Sequence, residues 1–131
     1  MRYEMHLNEL PFNQIVSGEK TLEIRLNDSK RQLLKVGDEI LFFNRKNENQ
    51  TILKTIIALR HYSSFVEFAL NEDTTTAGFD KSYNTQDVVD AYHKYYTPQE
   101  EQQFGVLVIE LQYNWQKIFL QSNFAYIKLL F

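Results

Sequence analysis

A short charged run carries the strongest chemical signal in this sequence. Lys20, Glu23 and Arg25 follow closely after Gly18. The Arg25 guanidinium offers planar, two-pronged contacts, and the Lys20 ammonium acts as a point charge or, when desolvated, as a base or nucleophile. A carboxylate between two cations can accept hydrogen bonds from an amine or a base edge, while the cations meet a phosphate or a carbonyl oxygen. The three side chains therefore predict a binding site for a polar ligand.

The element that must position this trio is a strand predicted over residues 21–27. Apolar and polar residues alternate along it, so Glu23 and Arg25 share one face, roughly 6.6 Å apart along the chain. Lys20 has the opposite parity, but the backbone after Gly18 can bend it toward the same cleft. The alternative is a ladder of surface ion pairs, which stabilises a protein by about 0–1 kcal/mol and has no other role.

The remaining pattern predicts an α+β chain of short elements. Pro11 is placed at the start of the first helix, and Gly18 suits the left-handed residue that ends it. Ser64 and Thr97 have the spacing of helix caps, and Gly105 ends the last helix. Strands are predicted over residues 3–7, 21–27, 39–43, 51–61 and 106–111, helices from Pro11, after Ser64, over 85–95 and from Pro98, and polar connections over 44–50 and 71–84.

Length and composition restrict the class of protein. The chain has 131 residues, the size of one domain, and no cysteine, which excludes disulfides, thiolate catalysis and cysteine-bound zinc. No signal-peptide pattern and no apolar run of membrane-spanning length is visible, so a cytoplasmic location is expected. The net charge of -3 argues against strong nonspecific DNA binding. Residues 1–60 hold 10 basic and 8 acidic side chains, and residues 61–131 hold 4 and 9, so a polyanion should meet the first half.

Several of these residues also stand in a recognisable order. Pro11-Phe12 precedes the run Gly18-Glu19-Lys20-Thr21-Leu22-Glu23-Ile24-Arg25, which is followed by Asp28, Lys30-Arg31 and Val36-Gly37-Asp38. This order resembles the ASCH domain family, whose hallmark is G-x-K-x-x-E-x-R after the first helix. A later stretch is similar to the closing segment of many bacterial members: Tyr95-Tyr96-Thr97-Pro98, then Phe104-Gly105-Val106 and Ile109-Glu110-Leu111.

The resemblance implies a fold and a place for the ligand. ASCH domains are similar to PUA domains, which are small mixed β-barrels of about five or six strands with flanking helices. Their ligand cleft lies beside the first helix and is lined by the hallmark residues, here Lys20, Glu23 and Arg25. PUA relatives bind RNA, and the ASCH family is generally associated with RNA or nucleotide binding. The resemblance therefore implies RNA or a modified nucleoside or nucleotide as partner. Separately, no cofactor and no metal site are expected.

A catalytic alternative comes from one bacterial branch of similar fold. That branch is an amidohydrolase, which removes the acetyl group from acetylated cytidine with a Lys, a Thr and a distant Glu. Lys20 matches the Lys, but Glu23 stands at the Thr position, and Thr21 offers a hydroxyl two residues away. Glu67 and Glu72 are the candidates for the distant Glu. An amidohydrolase or a ribonuclease would use Lys20 and Glu23 as its catalytic pair.

Two further groups of residues suit nucleic acid. Lys30, Arg31 and Lys35 form a basic loop, which either contacts a phosphate backbone or is a solvated turn. Tyr95 and Tyr96 can stack on bases. Both groups are therefore candidate RNA contacts beside the charged trio.

The remaining aromatic and titratable candidates have a structural alternative. Tyr92 can also stack on bases, but it lies one helical turn before Tyr96, a spacing that more often indicates packing. The histidines His6, His61 and His93 have no metal-ligand spacing, although His6 and His61 end predicted strands and can rim the cleft.

The chain divides into two predicted parts. Residues 1–112 form the ASCH or PUA-like domain, and residues 113–131 form an aromatic C-terminal extension with a helical apolar face. The extension can pack on the domain or on a second copy of the chain, or it can be a recently acquired addition. A third hypothesis for the function is accordingly an interaction module, in which the extension dimerises the protein or docks a partner.

Overall fold

The computed structural model describes residues 1–113 of the chain. The strands are β1 (Arg2–Leu7), β2 (Leu22–Leu26), β3 (Glu39–Asn44), β4 (Asn47–Tyr62) and β5 (Val106–Leu111). The helices are α1 (Glu9–Ser17), α2 (Phe65–Asn71), α3 (Thr85–His93) and α4 (Pro98–Phe104), with short 3-10 turns at Arg31–Leu33 and Thr74–Ala77. The predicted α+β class and the predicted set of five strands are confirmed.

The five strands form one curled sheet in the order β1-β3-β4-β5-β2. β1 and β3 are parallel, and every other neighbouring pair is antiparallel. The long strand β4 connects the two halves, because its first part pairs with β3 and its second part with β5. This half-barrel with four helices has the PUA-like fold that the sequence predicted. β1 and β2 stand at opposite ends of the strand order.

Two apolar clusters hold the helices against the sheet. One contains residues of β1, α1, β3 and β4, and the other contains residues of β2, α2 and α3. β5 serves both, since Val106 and Val108 pack in the second cluster and Leu107 and Ile109 in the first. A strand buried on both faces has an unbroken apolar run in its sequence, and this run predicts β5.

The helix boundaries follow from capping residues. Thr97 and Glu100 form a reciprocal capping box with Pro98 in the first turn, as predicted. Ser64 accepts a hydrogen bond from the Glu67 amide, which confirms the predicted start of α2. The predicted helix over residues 85–95 ends earlier, at His93.

Two sequence predictions about local structure were wrong. The first helix begins at Glu9 rather than Pro11, and Pro11 is tolerated because a first-turn amide has no partner within the helix. The predicted connection over residues 44–50 is mostly strand, since β4 begins at Asn47 after a turn at Arg45 and Lys46. Residues 47–51 are exposed, so their polar side chains do not oppose strand structure.

One close approach ties the end of β5 to the end of α1. Gly18 ends α1 with φ of 87°, and the ring of Tyr113 lies directly against it. A Cβ at position 18 would stand 2.0 Å from Tyr113 Cε2, so the Tyr113 ring would have to shift, and the positive φ itself favours glycine. The rest of the predicted C-terminal extension, residues 114–131, lies outside the described residues.

Residues 1–113 contain neither a helix able to cross a membrane nor a cluster of metal-binding side chains. No helix there has the length and apolar character needed to cross a bilayer. The same residues hold no cluster of three or more His, Cys, Asp or Glu side chains placed to bind a metal ion.

Candidate ligand-binding cleft

A cleft of about 1150 Å³ lies between the two edge strands of the half-barrel. One side is formed by the end of β1 and by α1, which contribute His6 and Gln14. β2 contributes Glu23 and Arg25. The opposite wall comes from the end of α3 and from residues 75–83, here called the wall loop. The opening of the sheet is therefore the place where a ligand can enter.

Lys20, Glu23 and Arg25 converge in this cleft and are called here the charged floor. Lys20 Nζ lies 3.1 Å from Glu23 Oε1, and Arg25 Nε lies 2.8 Å from Glu23 Oε2. The side chains of Lys20 and Glu23 are only 5% and 7% exposed, and that of Arg25 is 16% exposed. The alternation predicted for β2 and the predicted bend at Lys20 are both confirmed, and a solvated surface ladder is excluded by the burial.

The N–H donors of the Lys20 ammonium group all face acceptors within the protein. Besides Glu23, it donates to the carbonyl of Leu22 at 2.7 Å and to the carbonyl of Ala77 at 2.9 Å. A lysine ammonium has three N–H donors, so these three acceptors saturate it. Lys20 therefore positions Glu23 and the wall loop.

Glu23 and Arg25 keep opposite charges. Burial alone would raise the pKa of Glu23, but the charges of Lys20 and Arg25 and their hydrogen bonds outweigh it and hold the pKa below its ordinary value. Burial acts to lower the pKa of Arg25, and the Glu23 carboxylate reverses this, so the net pKa is raised. At neutral pH the floor therefore presents one carboxylate and two cations.

Three hydrogen bonds tie the wall loop to the floor and to the residues around it. Lys20 Nζ bonds to Ala77 as described, Thr21 N donates to the Thr76 carbonyl at 2.9 Å, and Gln14 Nε2 donates to the Gly78 carbonyl at 3.1 Å. Gly78 has φ of 99°, and a Cβ there would meet Gln14 Oε1 at 2.6 Å. The loop is therefore held against Lys20, Thr21 and Gln14 through its backbone carbonyls.

Tyrosines line the side of the cleft formed by α3. Tyr92 and Tyr96 stack on Phe65 with ring centroids 4.6 and 5.8 Å away, so the predicted packing role is borne out for both. Burial raises the pKa of both hydroxyls, which stay protonated. Tyr95 differs, since it is 73% exposed, and Tyr83 of the wall loop is 46% exposed. These two rings stand at the mouth of the cleft.

The other basic and titratable candidates take separate positions. Lys30 and Arg31 do not line this cleft; Lys30 is exposed, and Arg31 pairs with Asp28 at 3.3 Å. His6 lines the cleft as expected, stacked on Phe43 with ring centroids 5.0 Å apart.

His61 and His93 lie away from the floor. His61 is exposed on β4 and does not line the cleft, so the prediction that it rims the cleft is not met. His93 Nε2 instead lies 2.8 Å from Glu101 Oε1, a carboxylate that also accepts from the Phe65 amide. This pair joins α3, α4 and α2.

The two candidates for a distant catalytic glutamate are occupied elsewhere. Glu67 accepts from the Ser63 amide at 2.8 Å, and Glu72 pairs with Arg60 at 2.6 Å. Neither lines the cleft. Of the side chains considered for the acetylcytidine mechanism, Lys20 and Glu23 therefore lie in the cleft, and Glu67 and Glu72 do not.

Several lining residues escaped prediction from the sequence. Arg45 comes from the β3–β4 turn, and Asp80, Lys81 and Tyr83 come from the wall loop. Among residues 1–113, four cationic and three anionic side chains line the cleft, which leaves this lining mildly positive. The available signal was Gly78, because a glycine in a polar loop marks a backbone that approaches other groups closely.

These features define a PUA-like α+β domain with a charged cleft at the opening of its sheet. The chain belongs to the ASCH domain family, whose family model matches residues 5–114. No curated protein matches the chain.

Solved structures show the same fold. The hypothetical protein PH0355 is 32% identical, with a TM-score of 0.74, and the match covers 86% of this chain and 98% of that one. Protein PF0455 from Pyrococcus furiosus is 29% identical, with a TM-score of 0.68 and coverages of 86% and 96%. ASCH from Zymomonas mobilis is 17% identical, with a TM-score of 0.58 and coverages of 83% and 65%, and supports the fold alone.

Proposed function

We propose that this protein binds single-stranded RNA or a nucleotide in the cleft between β1 and β2. Glu23 and Arg25 contact the base, Lys20 positions them, and Tyr95 and Tyr96 border the bound base. The general association of ASCH domains with RNA supports this assignment.

The burial of the charged floor is the observation that carries the proposal. Removing a carboxylate and two cations from water costs several kcal/mol per ion, and the mutual attraction of the charges only partly offsets this. A purely structural role would be served as well by apolar residues of similar volume. These ions line a cleft of about 1150 Å³, and this position suits the recognition of a polar ligand.

The outer parts of the cleft suit the rest of an RNA strand. Arg45 and Lys81 stand among its lining residues and can meet phosphate oxygens. Tyr83 and Tyr95 offer exposed rings at the mouth, where bases can stack without sequence preference. Lys30 and Arg31, outside the cleft, would extend the phosphate contacts of a longer strand.

The test is a titration of fluorescein-labelled single-stranded hexanucleotides, followed by anisotropy at low and high salt. We expect binding that weakens with salt, because phosphate contacts release counterions. Lys81→Ala should reduce the slope of log Kd against log salt by roughly one contact. Arg2→Ala is the matched control, because Arg2 is exposed and does not line the cleft.

Tyr95→Ala tests stacking separately from charge. We expect weaker binding by roughly 1–3 kcal/mol with an unchanged salt slope. Leu70→Ala is its control, since Leu70 is comparably exposed on α2 and does not line the cleft. Absence of RNA and nucleotide binding by the wild-type protein at low salt would overturn the proposed function.

A further inference from the structure

The unused hydrogen-bonding capacity of the charged floor defines what its ligand must look like. Lys20 is saturated by Glu23, Leu22 and Ala77, so it offers no donor to a ligand. Recognition at the bottom of the cleft is left to Glu23 and Arg25, and each of these has capacity to spare.

Glu23 retains one acceptor position on each of its carboxylate oxygens. An ionised carboxylate is acceptor-only and has about four lone-pair sites. Lys20 uses one site on Oε1, and Arg25 uses one on Oε2. The remaining sites lie on two neighbouring oxygens, and they suit a ligand edge with two adjacent, parallel N–H donors, as in bidentate pairing of a carboxylate with a fork of donors.

Arg25 retains donors beside that carboxylate. Its Nε bonds to Glu23, and its Nη2 makes a long contact of 3.4 Å to the His6 carbonyl. Of five guanidinium N–H donors, the remaining ones can meet a carbonyl oxygen on the same ligand. The floor is therefore complementary to a ligand that has two N–H donors next to one carbonyl acceptor.

We propose that the charged floor binds the Watson–Crick edge of guanine, so that the ligand is a guanine nucleotide or a guanine in single-stranded RNA. Guanine presents N1–H and the N2 amine to the two oxygens of Glu23, and O6 to Arg25. Uracil and cytosine have only one donor position along this edge, and adenine has no carbonyl. The assignment rests on the proposed function, since it names the base that the cleft selects.

The charge of the floor separates guanine from other ligands with paired N–H donors. A guanidinium or amidinium group also carries such donors, but it is a cation. Lys20, Glu23 and Arg25 together carry a net positive charge, which repels a second cation and favours a neutral base attached to an anionic phosphate. Arg45 and Lys81 add to this preference.

The experiment compares hexanucleotides UUUNUU in which N is guanine, inosine, cytosine, adenine or uracil, at one low salt concentration. We expect guanine to bind most tightly. Inosine keeps N1–H and O6 and lacks only the N2 amine, so it should bind roughly tenfold more weakly. This comparison uses the wild-type protein, so no variant has to fold for it to be decisive.

Glu23→Gln supplies the matching test on the protein. An amide in place of the carboxylate presents one acceptor and one NH2 group, so the difference between guanine and inosine should fall to less than twofold. Thermal unfolding of the variant verifies that it is folded. A guanine preference that survives unchanged in a folded Glu23→Gln protein would contradict the assignment.

The possible failures are distinguishable. Equal affinity for all five hexanucleotides would overturn guanine selection and leave RNA binding intact, whereas absence of binding to any of them would overturn both. Displacement of bound RNA by arginine amide, with no displacement by guanosine monophosphate, would show that the floor takes a cationic fork instead. Displacement by guanosine monophosphate and not by uridine monophosphate is the expected result.

Discussion

Two charged clusters of this domain use the same residue types in opposite arrangements. In the charged floor, one carboxylate, Glu23, lies between the cations Lys20 and Arg25. In a second group, here called the Arg60 cluster, Arg60 lies between Glu72 and Glu110, at 2.6 and 2.8 Å. The floor has a net positive charge and the Arg60 cluster a net negative one.

The clusters differ most in what they leave unsatisfied. Arg60 directs Nε and Nη2 to the two oxygens of Glu72, and Tyr62 donates its hydroxyl to the same carboxylate at 2.7 Å. This closed network joins β4, β5 and the end of α2, and the Arg60 side chain is 34% exposed. The floor is more deeply buried, meets a cleft and keeps acceptors and donors unused. Similar ion pairs therefore connect structural elements in the Arg60 cluster and suit ligand recognition in the charged floor.

The largest expected effect comes from removing the saturated cation of the floor. Lys20→Met leaves Glu23 with one partner and deprives Ala77 of its hydrogen bond. We expect a loss of about 3–5 kcal/mol in the free energy of unfolding, since one partner of a buried ionic group is removed. Urea unfolding measures it. Lys46→Met is the control: Lys46 is 72% exposed and pairs with Glu9, and its loss should cost about 0.5 kcal/mol or less. Equal effects of the two variants would contradict the difference between buried and exposed pairs.

Exchanging arginine for lysine distinguishes the clusters by function. Arg25→Lys keeps the charge and removes the planar fork, so we expect roughly tenfold weaker binding of guanine-containing RNA. Arg60→Lys makes the same chemical change outside the cleft and should leave RNA affinity unchanged. Anisotropy titration of both variants decides the point, and a matching loss in Arg60→Lys would show that the effect is global.

Neutralising the acceptor of the Arg60 cluster should have a smaller effect on stability. Glu72→Gln removes the charge that Arg60 pairs with, and we expect a loss of about 1 kcal/mol in the free energy of unfolding. Its RNA affinity should equal that of the wild-type protein, because Glu72 does not line the cleft. A changed affinity at unchanged stability would place the Arg60 cluster in the binding surface.

The smallest expected signal is the dependence of stability on pH. The pKa of Glu23 is lowered in the folded protein, because Lys20 and Arg25 outweigh the opposing effect of burial. Its contribution to stability is therefore present above the ordinary value of 4.5 and is lost as the pH falls through the folded value. Compared with wild type, Glu23→Gln should show a flatter decline of unfolding free energy below that pH, measured by urea titration at several pH values. A steeper decline would contradict the sign.

Much of the charged floor could be predicted from the sequence, because its residues lie close together in the chain. The alternation of β2 places Glu23 and Arg25 on one face, and Gly18 permits the bend that returns Lys20 to it. The contact between Lys20 and Ala77 joins residues 57 positions apart, and no local pattern encodes it. The engagement of Lys20 with the wall loop was for this reason invisible in the sequence.

The sequence predictions that were wrong have a similar origin. Lys30 and Arg31 are near the floor in sequence, but the chain turns at Asp28, which accepts from the Arg31 amide and carries them out of the cleft. The polar side chain of Asn47 predicts a connection, although a strand exposed on both faces has no reason to be apolar. Polarity in the sequence reports exposure, and only the fold decides whether an exposed segment is strand or loop.

The contact of Tyr113 with Gly18 has a practical consequence for experiments on this protein. Position 113 lies against the bend that begins two residues before Lys20, even though it follows the last strand. An environment-sensitive dye attached there through Tyr113→Cys would be the sole thiol label, since the chain has no cysteine. Such a label would contact the residue that ends α1, two positions before Lys20, and would replace no side chain that lines the cleft.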